Sequence, residues 1–368
     1  MNITGGITFS GAMGIRDQFP IVLANSSVAT QNINVNAVVN FNPFISVSAG
    51  VPPYTYSNVG VLPQGLALSS GNGLVYGTTT AAFSTATVTF QVADSAGVVS
   101  TVTNPVSFTV SIPTYTVNYM IVAGGGGGGK SSPGGGAAGG GGNGGGATPG
   151  SFTAALGTTY TLTVGAAGGG AGPAGPVFAS PGGASSITNG PGSMYYGNSS
   201  GGGAGGQGNP QGGTAPFYAS GGIGGTGAGG GGGNWYTRDS NPAYNGNGGS
   251  GLTWSYNGVG YGAGGGAGGT APLYPPAPAG TGGSPGGGPG GPPSSPGSNA
   301  SFYGAGGGGG GWSPGPQNMG GAGYQGIILL AVPTPNYPGS APGASVSTPP
   351  SAPGQTVLTY ISSGTYTA

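Results

Sequence analysis

Charge is almost absent from this chain. Its 368 residues carry three basic and three acidic side chains, namely Arg16, Asp17, Asp94, Lys130, Arg238 and Asp239, with no histidine, glutamate or cysteine. Three cations at zero net charge cannot neutralise a run of phosphates, which argues against nucleic acid as a partner. General acid–base chemistry has next to nothing to work with, and no catalytic residue is assigned. Asp17, Asp94 and Asp239 are too dispersed in sequence to promise the carboxylate pair of a glycan-cleaving enzyme. Without cysteine there is neither disulfide nor thiolate metal site, and no metal or other cofactor is expected. Long apolar runs are missing too: Ile327 to Val332 falls far short of the roughly 18 residues a helical membrane span needs, so no membrane insertion is expected. The opening Met1-Asn2-Ile3-Thr4 has neither the basic nor the apolar region of a secretion signal.

What fills the space is glycine, 95 residues of it beside 34 prolines. No Gly-X-Y period holds, which excludes a collagen triple helix. A flexible linker is the simplest alternative, because ordering glycine costs about 1–2 kcal/mol per residue in backbone entropy with no side chain to bury in return. Apolar strand-like segments at Tyr119–Val122, Tyr160–Val164 and Ile327–Val332 punctuate the glycine and argue against that. An ordered glycine run can adopt the polyglycine II form, the extended left-handed helix with three residues per turn, whose N–H and C=O groups point outward and lack internal partners. Such helices can pack side by side and bond laterally, since no Cβ holds them apart, and each bond contributes about 1 kcal/mol net. Candidate runs lie at 124–129, 134–146, 168–170, 201–206, 221–233, 264–269, 286–288, 304–311 and 320–323. The fold class that follows is all-β with extended polyglycine II helices and essentially no α-helix.

Texture divides the chain into four. Residues 1–33 contain short β-prone pieces and read as an attachment segment. Residues 34–113 alternate β-branched positions with turn signals at intervals of roughly ten residues, as a β-sandwich does. Residues 114–332 form the glycine-rich domain, and 333–368 read as a Pro/Ser-rich linker ending in a C-terminal strand free to pair with a neighbour.

Two resemblances sharpen this. The runs Val51-Pro-Pro-Tyr-Thr-Tyr-Ser, Leu62-Pro-Gln-Gly-Leu-Ala-Leu, Gly73-Leu-Val-Tyr-Gly-Thr and Val88-Thr-Phe-Gln-Val-Ala-Asp94-Ser-Ala-Gly97 resemble the immunoglobulin-like repeats of bacterial surface and phage structural proteins. Those repeats place a turn at Asp-Ser-Ala-Gly, so Asp94 reads as a turn or calcium-leaning residue and not a catalyst. From Tyr115 to Val332, the pieces Val117-Asn-Tyr-Met-Ile-Val-Ala-Gly-Gly-Gly, Tyr160-Thr-Leu-Thr-Val-Gly, Gly182-Gly-Ala-Ser-Ser-Ile, the GGGAGG blocks at Gly201 and Gly264, and Gly320-Gly-Ala-Gly-Tyr-Gln-Gly-Ile-Ile-Leu-Leu resemble the glycine-rich terminal domains of phage tail fibres and adhesins. That resemblance implies a sandwich of polyglycine II helices whose distal loops bind a host receptor, a glycan or an outer-membrane protein. It further implies other virion tail proteins as partners and an extracellular location on the virion. The terminal strand adds the expectation of a homo-oligomer, a trimer. A self-assembling fibre or decoration protein without receptor binding is the alternative.

Gly124, Gly129, Lys130 and Ser131 satisfy GxxxxGK[ST] after an apolar strand, the pattern of a phosphate-binding loop. Ser132-Pro133-Gly134-Gly135-Gly136 is a poor start for the helix such a loop needs, and no later strand ends in a plausible magnesium-binding aspartate. Glycine this abundant generates the match without the function.

A uniform glycine lattice cannot discriminate partners, so recognition falls to the inserts between runs. The insert 234–261 combines Trp235, Tyr236, Tyr244, Trp254 and Tyr256 with the Arg238–Asp239 pair. Trp, Tyr and Arg are the residues enriched at binding hot spots, and these aromatics with Arg238 are the candidate receptor-binding residues at the exposed end of the domain. The same rings have a second reading, as covers for a lattice that has no side chains of its own.

Overall fold

The computed structural model describes residues 21–25, 30–101, 105–131, 138–172, 179–189, 198–199, 246–269 and 278–368. They are β-strand, turn and extended backbone, with one 3₁₀ turn at Thr334–Asn336 and no α-helix among them. The chain divides into two compact units, Met1–Pro113 and Thr114–Ala368.

The first unit contains β1 (Val22–Asn25), β2 (Thr30–Asn34), β3 (Val38–Phe41), β4 (Phe44–Ser48), β5 (Thr55–Val59), β6 (Leu66–Leu68), β7 (Val75–Thr78), β8 (Phe83–Ala93), β9 (Val99–Thr101) and β10 (Val106–Ser111). One sheet runs β2-β10-β8-β5, with β9 also on β8; a second runs β3-β7-β6, and β1 pairs with β4. Alternation places Val88, Phe90 and Val92 of β8 and Val106, Phe108 and Val110 of β10 inside, with Val39, Phe44 and Val75 joining most of them in one core. The sandwich begins earlier than residue 34: Ile21 is buried in the same core, Leu23 and Ile33 pack against it, and β2 lies parallel to β10. Residues 21–25 and 30–33 therefore belong to this unit and not to an attachment segment. Turn spacing cannot reveal a strand added in parallel along a sheet edge, because parallel pairing needs no local hairpin.

The second unit contains β11 (Thr114–Val122), β12 (Ala147–Ala155), β13 (Thr159–Thr163), β14 (Ser185–Thr188), β15 (Asn198–Ser199), β16 (Leu252–Trp254), β17 (Val259–Tyr261), β18 (Ile327–Pro333), β19 (Ala344–Ser347), β20 (Gln355–Tyr360) and β21 (Gly364–Thr367). Sheets ordered β12-β11-β18-β20-β19 and β15-β14-β13-β21 contribute jointly to a core of Tyr119, Ile121, Phe152, Tyr160, Leu162, Ile187, Ile328, Leu330, Tyr360 and Tyr366. The opposite face of β11 and β18, with Met120, Val122, Ile327 and Leu329, is covered by the β16–β17 hairpin. Burial on both faces is why Tyr119–Val122 and Ile327–Val332 are continuous apolar runs and not alternating ones.

Residues 333–368 are not a linker with a strand for a neighbour. β20 pairs with β18 from Gln355 to Tyr360, β19 pairs with β20, and β21 pairs with β13. Val357, Leu358, Tyr360 and Tyr366 are buried within their own chain. The premise on which a trimer was expected is thereby removed. Proline and serine content described the connections, whereas the buried positions of Gln355–Tyr360 decided the fold.

Candidate functional site

Glycine runs leave the sheets at one end and return to it. Ala123 continues directly from β11 and 138–146 leads back into β12; 262–269 continues from β17; 304–312 goes out and 318–326 returns into β18. The run 304–312 lies at the centre. Gly306, Gly309 and Trp312 donate to Ala263, Gly266 and Gly269; Gly307 and Gly310 donate to Gly126 and Gly129; Gly308 and Gly311 donate to Ser298 and Ser295, all at 2.8–3.0 Å. Its carbonyls are used as completely. Gly304, Gly307 and Gly310 accept from Gly145, Gly142 and Gly139, Gly306 and Gly309 from Gly288 and Gly291, and Ala305 and Gly308 from Tyr324 and Gly321. Each neighbouring run is met at every third residue, the signature of a helix with three residues per turn. A hexagonal lattice of polyglycine II helices results, in which lateral bonds satisfy the backbone groups that glycine side chains cannot shield.

The lattice explains its own composition. A Cβ on Gly265 would overlap the Gly307 carbonyl oxygen, and one on Gly307 would overlap that of Gly321. Alanine is admitted where a methyl group has room: Ala263, Ala300 and Ala305 cluster, with Tyr324 packed against them.

The same bonding answers the phosphate-loop pattern. The N–H groups of Gly124, Gly125, Gly126, Gly127, Gly128 and Gly129 donate to Gly183, Tyr324, Asn143, Ser180, Gly321 and Gly140. None is left for a phosphate. Ser131 is fully buried, its Oγ accepts from the Asn318 N–H at 2.8 Å, and Lys130 is buried beside it.

The described part of the insert, 246–261, does not sit where recognition needs it. Trp235, Tyr236, Arg238 and Tyr244 lie outside the described residues. Trp254 is 3% exposed, packed with Met120, Val122, Tyr261, Ile327 and Leu329 at the sheet end of the lattice. The expectation that it contacts a receptor is overturned for this ring: a strand pair that must cover two apolar strands turns its largest side chain inward. Tyr256 is half-buried with its ring 5.0 Å from that of Trp254, and its carbonyl accepts from Ser351 Oγ at 2.8 Å. Both belong to the reading of aromatics as covers.

The far end of the lattice, away from the sheets, carries the described loops 292–295 and 312–319. Ser294 N donates to the Trp312 carbonyl at 2.6 Å, Gly311 N to that of Ser295 at 2.9 Å and Gly297 N to that of Met319 at 2.8 Å. Asn318 Nδ2 donates to the Gly311 carbonyl at 2.9 Å. Held this way, Trp312 is half-buried, and Pro292, Pro293, Pro314, Pro316 and Met319 are exposed. The outgoing and return runs on either side of Trp-Ser-Pro-Gly-Pro-Gln-Asn-Met are the sequence signal for this loop, outweighed by the denser aromatics of 234–261.

Among the described residues the charged side chains are Asp94 and Lys130, and none of these residues forms a group of three metal-binding side chains. Asp94 closes the β8–β9 turn. Its Oδ1 accepts from Ala96 N and Val98 N at 2.9 Å, and its Oδ2 accepts from Val51 N at 3.0 Å. Burial pulls its pKa upward, but the backbone donors Val51, Val98, Ala96 and Gly97 outweigh that and hold it below the ordinary value. It is a turn residue.

Comparison with known proteins agrees with the division into units. No curated protein matches the chain. Residues 20–117 match the family described as Putative Ig domain. Residues 101–333, more than half of the chain, match the family described as Glycine-rich domain, and with the lattice occupying that span the chain belongs to the glycine-rich domain family.

Proposed function

We propose that this chain is a non-enzymatic virion structural protein, the adhesin of a phage tail fibre, which attaches the particle to a host-surface glycan or outer-membrane protein. The observation that carries the reading is the division of labour within the lattice. Its interior runs spend their N–H and C=O groups on one another and have no side chains, whereas the described loops 292–295 and 312–319 present side chains at the end away from the sheets. Chemistry able to discriminate partners belongs to those loops. Trp312, Met319 and the prolines beside them supply a preformed, uncharged surface, and proline lowers the ordering cost of binding. Trp235, Tyr236, Arg238 and Tyr244 remain candidates from sequence.

The test is adsorption of labelled protein to host cells. Saturable binding is expected, and Trp312→Ala with Met319→Ala should weaken it at least tenfold at an unchanged melting temperature. Stripping surface protein or surface glycan from the cells identifies the receptor class. A protein that binds no cell at any concentration sinks the adhesin reading and leaves the self-assembling fibre.

A further inference from the structure

The described residues of the immunoglobulin-like unit leave one side of it open. Among the described residues β2 is hydrogen-bonded to β10 alone and β3 to β7 alone, so each ends its sheet. Residues 35–37 join the two strands, with Ala37 N donating to the Asn34 carbonyl at 3.2 Å, and the two free edges therefore lie side by side. A cleft of about 400 Å³ runs along them, lined by residues that include Gln31, Ile33, Asn34, Val38 and Phe41. Val38 is 81% exposed, the most exposed of the large apolar side chains among the described residues of this unit. On the outward face Asn40 is directly opposite Tyr76, which is itself 47% exposed.

Free edges are ordinarily blunted by charge, proline or a bulge. Thr30-Gln-Asn-Ile-Asn34 and Val38-Val-Asn-Phe41 contain neither charge nor proline, and their registers with β10 and β7 are regular. An edge left this way is a pairing surface, and its chemistry indicates the partner. A row of backbone N–H and C=O groups is complementary to a second such row. Gln31, Asn32, Asn34 and Asn40 each carry a donor and an acceptor on one amide, so identical residues can pair with one another as charged ones cannot. With zero net charge, two copies of the chain do not repel at a distance either.

We infer that the β2–β3 edge of the sandwich pairs with the same edge of a second copy of this chain, as an isologous interface about a two-fold axis. Extended backbone joins the sheets of the two copies, and Val38 is covered in the process. The contact is independent of recognition at the far end of the glycine lattice.

Light scattering on the full chain across concentration tests it. Wild type should behave as a dimer or a multiple of one, and Asn32→Lys with Val38→Lys should halve the mass while the melting temperature holds; Val61→Lys, at a site 72% exposed in a loop, should leave the mass unchanged. The lack of cysteine offers a second measurement on protein that keeps its fold: Asn40→Cys should give a disulfide-linked dimer on mild oxidation, and Val61→Cys should not. A monomeric wild type at every concentration, an edge variant that assembles as wild type does, or equal cross-linking at positions 40 and 61 overturns the inference.

Discussion

The hydroxyl groups of Tyr115 and Tyr366 meet at 2.7 Å, joining positions 251 residues apart. One stands near the start of β11 and the other in β21, so the first and last strands of the glycine-rich unit close one core. The ring of Tyr366 also stacks on Tyr160 at 6.1 Å. The C-terminus is thus a wall of the unit.

Deleting residues 355–368 removes β20 and β21 and uncovers Ile328, Leu330 and Tyr160. The truncated chain should lose its cooperative melting transition for this unit, while the immunoglobulin-like unit melts as before. Tyr366→Phe keeps the ring and strands the Tyr115 hydroxyl, at a cost of about 1–3 kcal/mol. Calorimetry separates the two outcomes, and a truncated glycine-rich unit that still melts cooperatively would refute the structural role.

Alkali should loosen the same core. Burial, followed by the proximity of Tyr337, raises Tyr360 to about 12, and burial with the Tyr115 hydrogen bond raises Tyr366 further. Both groups are held neutral in the fold but ionise near 10 when unfolded. Their contribution is complete below pH 10 and is lost as pH climbs from there towards the folded values. Melting temperature against pH, followed with tyrosinate absorbance, should show a fall above pH 10 that Tyr366→Phe reduces.

In acid the sign reverses. The Asp94 pKa is depressed in the fold, so its contribution is present above the ordinary value of 3.8 and disappears as pH drops through the folded one. With neither histidine nor glutamate in the chain, the immunoglobulin-like unit should melt at a constant temperature from about pH 5 to 9. Asp94→Asn should lower that plateau and flatten the acid limb. An unchanged acid limb in the variant would refute the assignment.

Glycines of one unit should divide sharply by place. Gly307→Ala drives a methyl group into the Gly321 carbonyl between runs that have no slack, and should cost at least about 3 kcal/mol or abolish folding. Gly265→Val should be as severe. Gly315→Ala, in the far-end loop, meets nothing within 4 Å and should be neutral or slightly stabilising. Comparable melting of the Gly307 and Gly315 variants would contradict close lateral packing.

Trp254→Ala opens a cavity among Met120, Ile327 and Leu329 and should cost about 3–5 kcal/mol. Folded molecules of this variant should adsorb to cells as wild type does. Lost adsorption at full stability would restore Trp254 as a contact residue.

The lattice was legible in the sequence because its rule is local: Gly124–Gly129 has no side chain, so only lateral backbone bonding could order it. The sandwich was legible through Val88, Phe90 and Val92, whose alternation needs one strand to read. Trp254 was misplaced because composition marks an insert as aromatic without saying which end of the lattice it covers. That depends on Met120 and Leu329, more than 70 residues away on either side. Val357, Leu358 and Tyr360 read as a tethered strand for the same reason: the sheet edge they cover ends at β18, and no local pattern names the edge.

The lateral bonds of the lattice lie across the runs, and this has a mechanical meaning. A pull exerted on the far-end loops and resisted at the sheets acts along each run, so that the bonds of 304–312 to its neighbours are loaded together in shear. They must yield collectively. A sideways pull on a single run would open them one at a time, like a zip. The domain is therefore anisotropic, stiffest along the axis that joins its loops to its sheets.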